Sequence, residues 1–505
     1  MAVSCHRPPG QLVADPEINL RLGGTMRRRD FLRLGGSAAA GALLAPSTSL
    51  AQPASRLNRI EHFIVLMLEN RSFDSMLGML GRYYQKPETF DGLSGAESNA
   101  DSDGRSIGVA NICGTDDDLA IPPKNPAEKW QDMNEQLFGG QTLAPPSAAP
   151  TMDGFVKSYM RYSNPLQPRD PTHAMHYYTP QQVPILSRLA LEFAVSDRWF
   201  ASAPCETWPN RFFLHTGTAK DAANPSAPGY EDNRYEYSAA PLLANDWWSW
   251  LRAWVGLFIP YFEPATLAFS APSIFARLDK ASLKSPWKLY YTDFLQASTI
   301  RDVVSQMARE SHFWASKRIV HFDEFLKDCQ NGTLPSYSVI EPAYYLGAKN
   351  DQHPPKNIGP GEELIATVYN ALRSGPRPQW LSTMLIILYD EHGGTYDHVP
   401  PPQAVPPDSI STSPFNFDPY GVRVPAVIVS PYIQPQTVLR PPVGAPFPFD
   451  HTSVLATLRK RFTLGAPLTK RDEVAPDLES VLSLEQPTNL GPERLSAGDA
   501  SWFAR

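Results

Sequence analysis

Two polar clusters stand out for the chemistry they could do together. Glu69-Asn70-Arg71 and Asp390-Glu391-His392-Gly393-Gly394 each follow directly on a run of six apolar residues. Brought to one place, they supply three carboxylates and an amide. Such a set needs a cation, because unpaired buried charge is costly. The plain alternative pairs Glu69 with Arg71 at a helix start and leaves Asp390 and Glu391 in a solvated loop, since carboxylates often cap helices. Recurrence of the pattern at two distant places weighs toward a site. A third element is Thr207, in Cys205-Glu206-Thr207-Trp208-Pro209-Asn210-Arg211. Its hydroxyl suits a helix N-cap, with Pro209 in the first turn. It equally suits a nucleophile that a neighbouring cation deprotonates for attack on phosphorus. The two roles are compatible, because a helix N-terminus also stabilises an anion. No G-x-S-x-G elbow, P-loop or H-E-x-x-H helix occurs in the chain.

The elements that must position these groups are strands. Phe63-Ile64-Val65-Leu66-Met67-Leu68 and Met384-Leu385-Ile386-Ile387-Leu388-Tyr389 read as strands buried on both faces, as in a parallel sheet. Ligands of open α/β sheets bind at the carboxyl ends of such strands, where both clusters lie. Further strands are expected over Glu192–Ser196, Ser336–Ile340 and Val424–Val429, the second ending in Glu341. Helical patterns fall at Gly361–Ser374 and Asp450–Phe462. Strands alternating with helices predict an α/β fold with a mostly parallel sheet covered on both faces.

The first 51 residues read as an address. Arg27-Arg28-Arg29-Asp30-Phe31-Leu32-Arg33 is a twin-arginine pattern, followed by a short Gly/Ala-rich apolar segment and by Ser49-Leu50-Ala51, which suits signal peptidase. The expectation is a cleaved signal over 1–51, engagement of the twin-arginine export machinery and a periplasmic or secreted bacterial protein. The mature chain, 52–482, is expected as one catalytic domain with an insertion over about 220–270, and 483–505 as a surface extension without a packing pattern. The 51 prolines imply long ordered loops, and 42% hydrophobic residues are ample for a core. A net charge of −7 argues against nucleic acid as a partner. Cys5 precedes the signal, leaving Cys113, Cys205 and Cys329, an odd number whose spacings fit no zinc motif.

The motifs add up to a family likeness. Glu69-Asn70-Arg71-Ser72-Phe73-Asp74, Met152-Asp153-Gly154-Phe155, Thr207-Trp208-Pro209-Asn210-Arg211, Asn350-Asp351-Gln352-His353-Pro354-Pro355, Tyr389 to Gly394, Tyr396 to Pro401 and Phe449-Asp450-His451-Thr452-Ser453 occur in order from about Ile60 to about Ala475. The chain thereby resembles the phosphoesterase family of bacterial non-haemolytic and plant non-specific phospholipases C and related acid phosphatases. That resemblance implies an alkaline-phosphatase-like α/β/α sandwich with a metal at the strand ends. It implies Thr207 as a transiently phosphorylated nucleophile, and Glu69, Asn70, Asp390, Glu391 and Thr207 as metal ligands. An all-oxygen set favours Ca²⁺, Mg²⁺ or Mn²⁺ over Zn²⁺. His353 is the candidate for binding phosphoryl oxygens or protonating the leaving alcohol. His451 is a second candidate that could instead orient its neighbours. His392, Asp397 and His398 are expected around the metal loop.

One position departs from the pattern. Relatives usually carry a phosphate-facing histidine two positions before a tryptophan, where this chain has Glu128 before Trp130. An anion there would repel a doubly charged monoester more than a singly charged diester. The charge tilts the expectation toward a phosphodiester, and the resemblance implies a phospholipid headgroup ester, with a small phosphomonoester as the alternative. A sulfatase lacks its usual nucleophile context here, and a non-catalytic lipid-binding protein would not need the nucleophile. The segment 247–259 carries four tryptophans in its first eight residues. It reads either as core aromatics or as a peripheral membrane contact.

Overall fold

The apolar runs become the two central strands of an eight-stranded sheet. The computed structural model describes residues 55–112, 119–140, 148–220, 269–300, 302, 303, 305, 306, 317–409 and 416–504. Residues 1–51, where a signal is expected, Cys113 and the tryptophan-rich segment 247–259 lie outside these. In chain order the strands are β1 (His62–Leu68), β2 (Ser98–Ala100), β3 (Ser106–Gly108), β4 (Ala194–Val195), β5 (Trp287–Tyr291), β6 (Ile319–His321), β7 (Tyr337–Ile340), β8 (Thr383–Tyr389), β9 (Ala426–Val429) and β10 (Thr437–Val438). β2 and β3 form a separate hairpin. The main sheet runs β10-β4-β9-β8-β1-β7-β5-β6. The five strands β8, β1, β7, β5 and β6 are parallel, whereas β9 is antiparallel to both β8 and β4. The fold is thus α/β with a mostly parallel mixed sheet, as the sequence predicts.

Helices cover both faces. Phe63 of β1 packs edge-on against Phe462, at the end of the helix Thr452–Phe462, with centroids 5.8 Å apart. Tyr389 lies level with Leu68, and alternation sends it to the opposite face. There its hydroxyl bonds Gln352, whose amide in turn donates to Ile358 O at the start of the helix Gly359–Ser374. Every side chain from Phe63 to Leu68 and from Met384 to Tyr389 is fully buried. Among the described residues no helix is long and apolar enough to cross a membrane.

Several expectations shift. β4 is only Ala194–Val195, because Glu192 closes the preceding helix, Pro184–Glu192, paired with Arg188 at 2.7 Å. β9 begins at Ala426, after Pro425, which has no N–H for the ladder. The sequence pattern does not predict β5 and β6: the first mixes Lys288 into aromatics and the second has only three residues. The segment after Ser483 is packed. Leu495 and Phe503 are buried, Tyr369 Oη donates to Pro492 O at 2.6 Å, and Arg373 Nε donates to Leu490 O at 2.9 Å. Its apolar residues are too widely spaced to show a period. Cys205 and Cys329 are both buried.

The loops leaving β1 and β8 are fastened together. Arg71 N donates to Glu391 O at 3.0 Å, Ser72 N to Thr395 Oγ1 at 2.9 Å and Ser72 Oγ to Tyr396 O at 2.6 Å. Below them Arg423, fully buried, donates through Nε to Asp397 Oδ1 at 2.8 Å and through Nη2 to Asp74 Oδ1 at 2.9 Å. Asp74, Asp397 and His398 place ligand atoms within 4.8 Å of one another, a spacing that could hold a metal ion. Arg423 already supplies positive charge to both aspartates. Burial opposes a charged His398, but its bonds to Asp74 and Asp91 outweigh this and raise it to about 10, so it adds a second cation. The cluster is therefore satisfied as an ion-pair network. Replacing Arg423 with Met should leave two buried carboxylates facing each other and lower unfolding stability by ~3–5 kcal/mol in urea titrations. A loss below ~1 kcal/mol, typical of a surface pair, would show that the network does not hold the loops.

Candidate active site

The register of the sheet sets the site. Leu68 is level with Tyr389, so Glu69 and Asp390 leave adjacent strands at the same height. On the other side of β1, Leu66 is level with Ile340, and Glu341 emerges from β7. Glu69, Glu341, Asp390 and Glu391 are all buried. Arg71 does not pair with Glu69. It is buried and donates to the backbone carbonyls of Gln352 and Ile121, at 2.7 and 2.5 Å. The cation at Glu69 and Asp390 is instead Arg211, whose Nη2 lies 3.6 Å from Glu69 Oε1 and whose Nε lies 3.2 Å from Asp390 Oδ2.

One guanidinium does not balance this cluster. Burial, with Asp351 and Asp390 adding to it, pushes Glu69 up to about 8 against the pull of Arg211. Burial raises Asp390 as well, and Glu341 to about 7. Glu391 is driven well above the carboxylate range by burial and then by Glu128 and Asp390. Its Oε1 is buried without a hydrogen-bond partner among the described residues. The surrounding donors Glu69, Asn70, Thr207, Asp390 and Glu391 offer only oxygen, which fits a hard divalent cation. Glu69, Asp390 and Glu391 are not drawn within the 4.8 Å that groups Asp74, Asp397 and His398.

Four residues of Thr207–Arg211 anchor to their surroundings through side-chain bonds or ion pairs. The helix Thr207–Thr216 starts at Thr207 itself, with Glu206 as a cap that makes no side-chain cap bond. Thr207 Oγ1 donates to Asn70 Oδ1 at 3.4 Å. Trp208 Nε1 donates to Gln296 Oε1 at 2.8 Å, and Gln296 Nε2 donates to Glu69 Oε1 at 2.5 Å. Asn210 clasps the approach to the helix, accepting from Ala203 N and donating to the carbonyls of Ala203, Cys205 and Glu206. Arg211, one turn after Thr207, lies on the same helix face. Asn70 sits at φ 56°, a left-handed conformation that asparagine tolerates. Its N–H donates to Asp390 Oδ1 at 3.0 Å. Gly393 must be glycine: its φ is 60°, and a Cβ there would come 2.3 Å from Asn70 O.

The imidazoles divide by environment. His353 Nε2 lies 3.6 Å from Glu128 Oε2, and its Nδ1 contacts Pro354 O at 2.5 Å. Burial opposes its charge, but Glu128 and then Glu69 outweigh that and hold it near 9, so it is protonated at neutral pH. His451 is buried with both nitrogens engaged: Trp199 Nε1 donates to Nδ1 at 3.3 Å, and Nε2 donates to Asp390 O at 2.7 Å. Burial holds it near 4, hence neutral. His392 is also neutral, near 3 through burial, with Nε2 2.7 Å from Gln136 Oε1 and Nδ1 3.5 Å from Glu391 Oε2. Glu128 does reach the site, accepting from Asn70 Nδ2 at 2.8 Å.

This geometry can be set beside known proteins. The model of the phosphoesterase family matches residues 60–465. The chain belongs to the phosphoesterase family. It is 34% identical over 449 residues to non-specific phospholipase C3 of Arabidopsis thaliana, covering 86% of this chain and 75% of that one. It is 27% identical over 499 residues to phospholipase C B of Mycobacterium tuberculosis, covering 92% and 87%. A non-hemolytic phospholipase C of Burkholderia pseudomallei is 27% identical over 503 residues, covering 92% and 66%.

In this phosphoesterase, a hydrolase, the structure brings Glu69, Asn70, Thr207, Asp390, Glu391 and His353 together, with His451 behind Asp390. Sequence reading gave no role to Arg211, Gln296, Glu341 or Gln136. Glu341 obeys the same strand-end rule as Glu69, so its signal was present. Gln296 sits in a short 3-10 turn with no motif around it. Because Glu69 holds its proton more tightly folded than unfolded, chelator-treated protein should lose stability as pH rises from about 4.5 to about 8. Glu69→Gln should flatten that slope in denaturation curves taken across the window. An unchanged slope would mean Glu69 carries no such strain.

Proposed function

We propose that this phosphoesterase is a phospholipase C that cleaves the headgroup phosphodiester of phospholipids through a phosphothreonine intermediate. The observation that carries the reading is the Thr207 hydroxyl, held at a helix start against Asn70 Oδ1, with Asn70 in turn donating to the buried Asp390. The relatives described above bear phospholipase C names, which supports the substrate class. Glu69, Asn70, Asp390, Glu391 and Thr207 would hold a divalent cation, with Ca²⁺, Mg²⁺ or Mn²⁺ favoured by the oxygen donors. When bound, it would supply Lewis-acid stabilisation of charge on the phosphoryl oxygens and lower the hydroxyl's pKa.

The chain's own groups supply the rest. Thr207 Oγ, its proton passed to solvent, attacks phosphorus, and the P–O bond to the diacylglycerol oxygen breaks. His353, protonated through its pairing with Glu128, gives that oxygen its proton. Water then attacks the phosphothreonine, giving one proton to His353 and restoring its charge; the P–O bond to Thr207 breaks, the phosphorylated headgroup is freed and Thr207 Oγ regains a proton from solvent. His451 acts as a positioning group, since its Nε2–H fixes the Asp390 carbonyl.

Glu128 favours diesters over the alternative, a phosphatase acting on monoesters. A carboxylate 2.8 Å from Asn70 Nδ2 repels a dianion more than a monoanion. Export by the twin-arginine route to a periplasmic or secreted location is part of the same proposal, supported by Arg27 to Arg33 and Ser49 to Ala51.

Thr207→Ala should lower phosphatidylcholine turnover by ~10³-fold or more with the fold intact by circular dichroism. Near-wild-type turnover would remove Thr207 as nucleophile. Glu128→Gln should raise kcat/KM for p-nitrophenyl phosphate relative to bis(p-nitrophenyl) phosphate. A ratio unmoved, or a wild-type enzyme that prefers the monoester, would favour the phosphatase reading.

A further inference from the structure

The loop between β7 and Asp351 rises beside the site and carries an apolar tip. Its base is closed by Asn350 N donating to Ala343 O at 3.0 Å and Ala343 N donating to Asn350 Oδ1 at 2.6 Å. Its descending arm returns to the site, where Asp351 O accepts from Glu69 N at 2.9 Å. On the ascending arm the Tyr344 ring lies 5.7 Å from the Arg211 guanidinium, so the loop's inner side belongs to the site. Its outer side does not. Tyr345 is 45% exposed and Leu346 66% exposed, two adjacent large apolar side chains facing water.

This exposure is built into the loop. Asp293, just past β5, accepts the N–H groups of Tyr344, Tyr345 and Leu346 at 2.9, 2.6 and 2.7 Å. Phe294 meets Tyr344 and Tyr345 edge-on, with centroids 6.2 and 5.8 Å away. Two residues further on, Gln296 bonds Glu69. The tip is therefore fastened to the same segment that fastens the site. Lys349, also exposed, is the only charged residue from Pro342 to Asn350.

We propose that Tyr345, Leu346 and Lys349 form an interfacial contact that seats the mouth of the site on a phospholipid surface. The inference rests on the phospholipid reading of the site. A headgroup ester in a bilayer lies at the level of the polar boundary, so the groups flanking the mouth must reach that level. A tyrosine suits the headgroup zone, a leucine the acyl boundary just below, and a lysine the phosphates of anionic lipids. The occupant is thus a lipid surface, and charge as well as apolarity matches it.

The test uses the full mature chain and a Tyr345→Ser/Leu346→Asp variant. Sedimentation with phosphatidylcholine vesicles, with and without phosphatidylglycerol, measures binding. Turnover is measured on the same vesicles and on a short-chain phosphatidylcholine below its micelle concentration. The variant should bind vesicles roughly tenfold or more weakly, as expected from removing a buried leucine. Vesicle turnover should fall in step, while monomer turnover and melting temperature stay at wild-type values. Leu346→Trp should retain binding, and Lys349→Ala should weaken binding only to the vesicles with phosphatidylglycerol. Wild-type vesicle binding by the double variant, or equal losses on both substrates with a lowered melting temperature, would overturn the proposal. Wild-type protein that binds vesicles but hydrolyses neither substrate would instead overturn the phospholipase reading and leave the contact standing.

Discussion

The structure is organised around an electrostatic conflict. Adjacent parallel strands deliver Glu69 and Asp390 at the same height, Glu341 emerges from the next strand and Glu391 follows Asp390, all in the interior. Carboxylates taken out of water repel one another and give up hydration that a single arginine cannot replace. The raised proton affinities of Glu69, Asp390 and Glu391, and a Glu391 Oε1 without a hydrogen-bond partner among the described residues, are consequences of that conflict. A protein retains such an arrangement where a ligand of opposite charge resolves it.

The surroundings make the conflict tolerable. Arg423 and His398 tie Asp74, Asp397 and Asp91 into one network, so the loops from β1 and β8 cannot spread apart under repulsion. Gln296 and Trp208 link Glu69 to the helix that carries Thr207. His451 and Trp199 fix the Asp390 carbonyl from behind. These bonds brace the oxygen-bearing groups, as the electrostatic catalysis proposed above would require. Glu128 and His353 form the side of the site opposite in character, a paired anion and cation that can meet a substrate oxygen.

Much of this was legible from residue types alone. Six apolar residues followed by acids point to both central strands and to the buried acids at their ends, because burial on two faces leaves an unmistakable run and the strand end is where polarity returns. The short strands were harder. Ala194–Val195 competes with a helix that runs to Glu192, and β6 is too brief to show alternation. The packed C-terminal segment was missed because Leu490, Leu495 and Phe503 contact the core singly, with no period. Gln296 and Gln136 were invisible for a different reason: an amide's role depends on what the fold places beside it. Arg211 stood inside a quoted motif, yet only the fold reveals that it, and not Arg71, faces Glu69.

The central claim, that buried carboxylates at the strand ends hold a cation, is tested most directly by elemental analysis of extensively dialysed protein. Wild-type protein should retain about one Ca²⁺, Mg²⁺ or Mn²⁺ per chain, the ions suited to an all-oxygen shell. Asp390→Asn and Glu391→Gln, each folded by circular dichroism, should lose it. Full metal content in both variants, or an active wild-type enzyme with no divalent ion, would contradict the account.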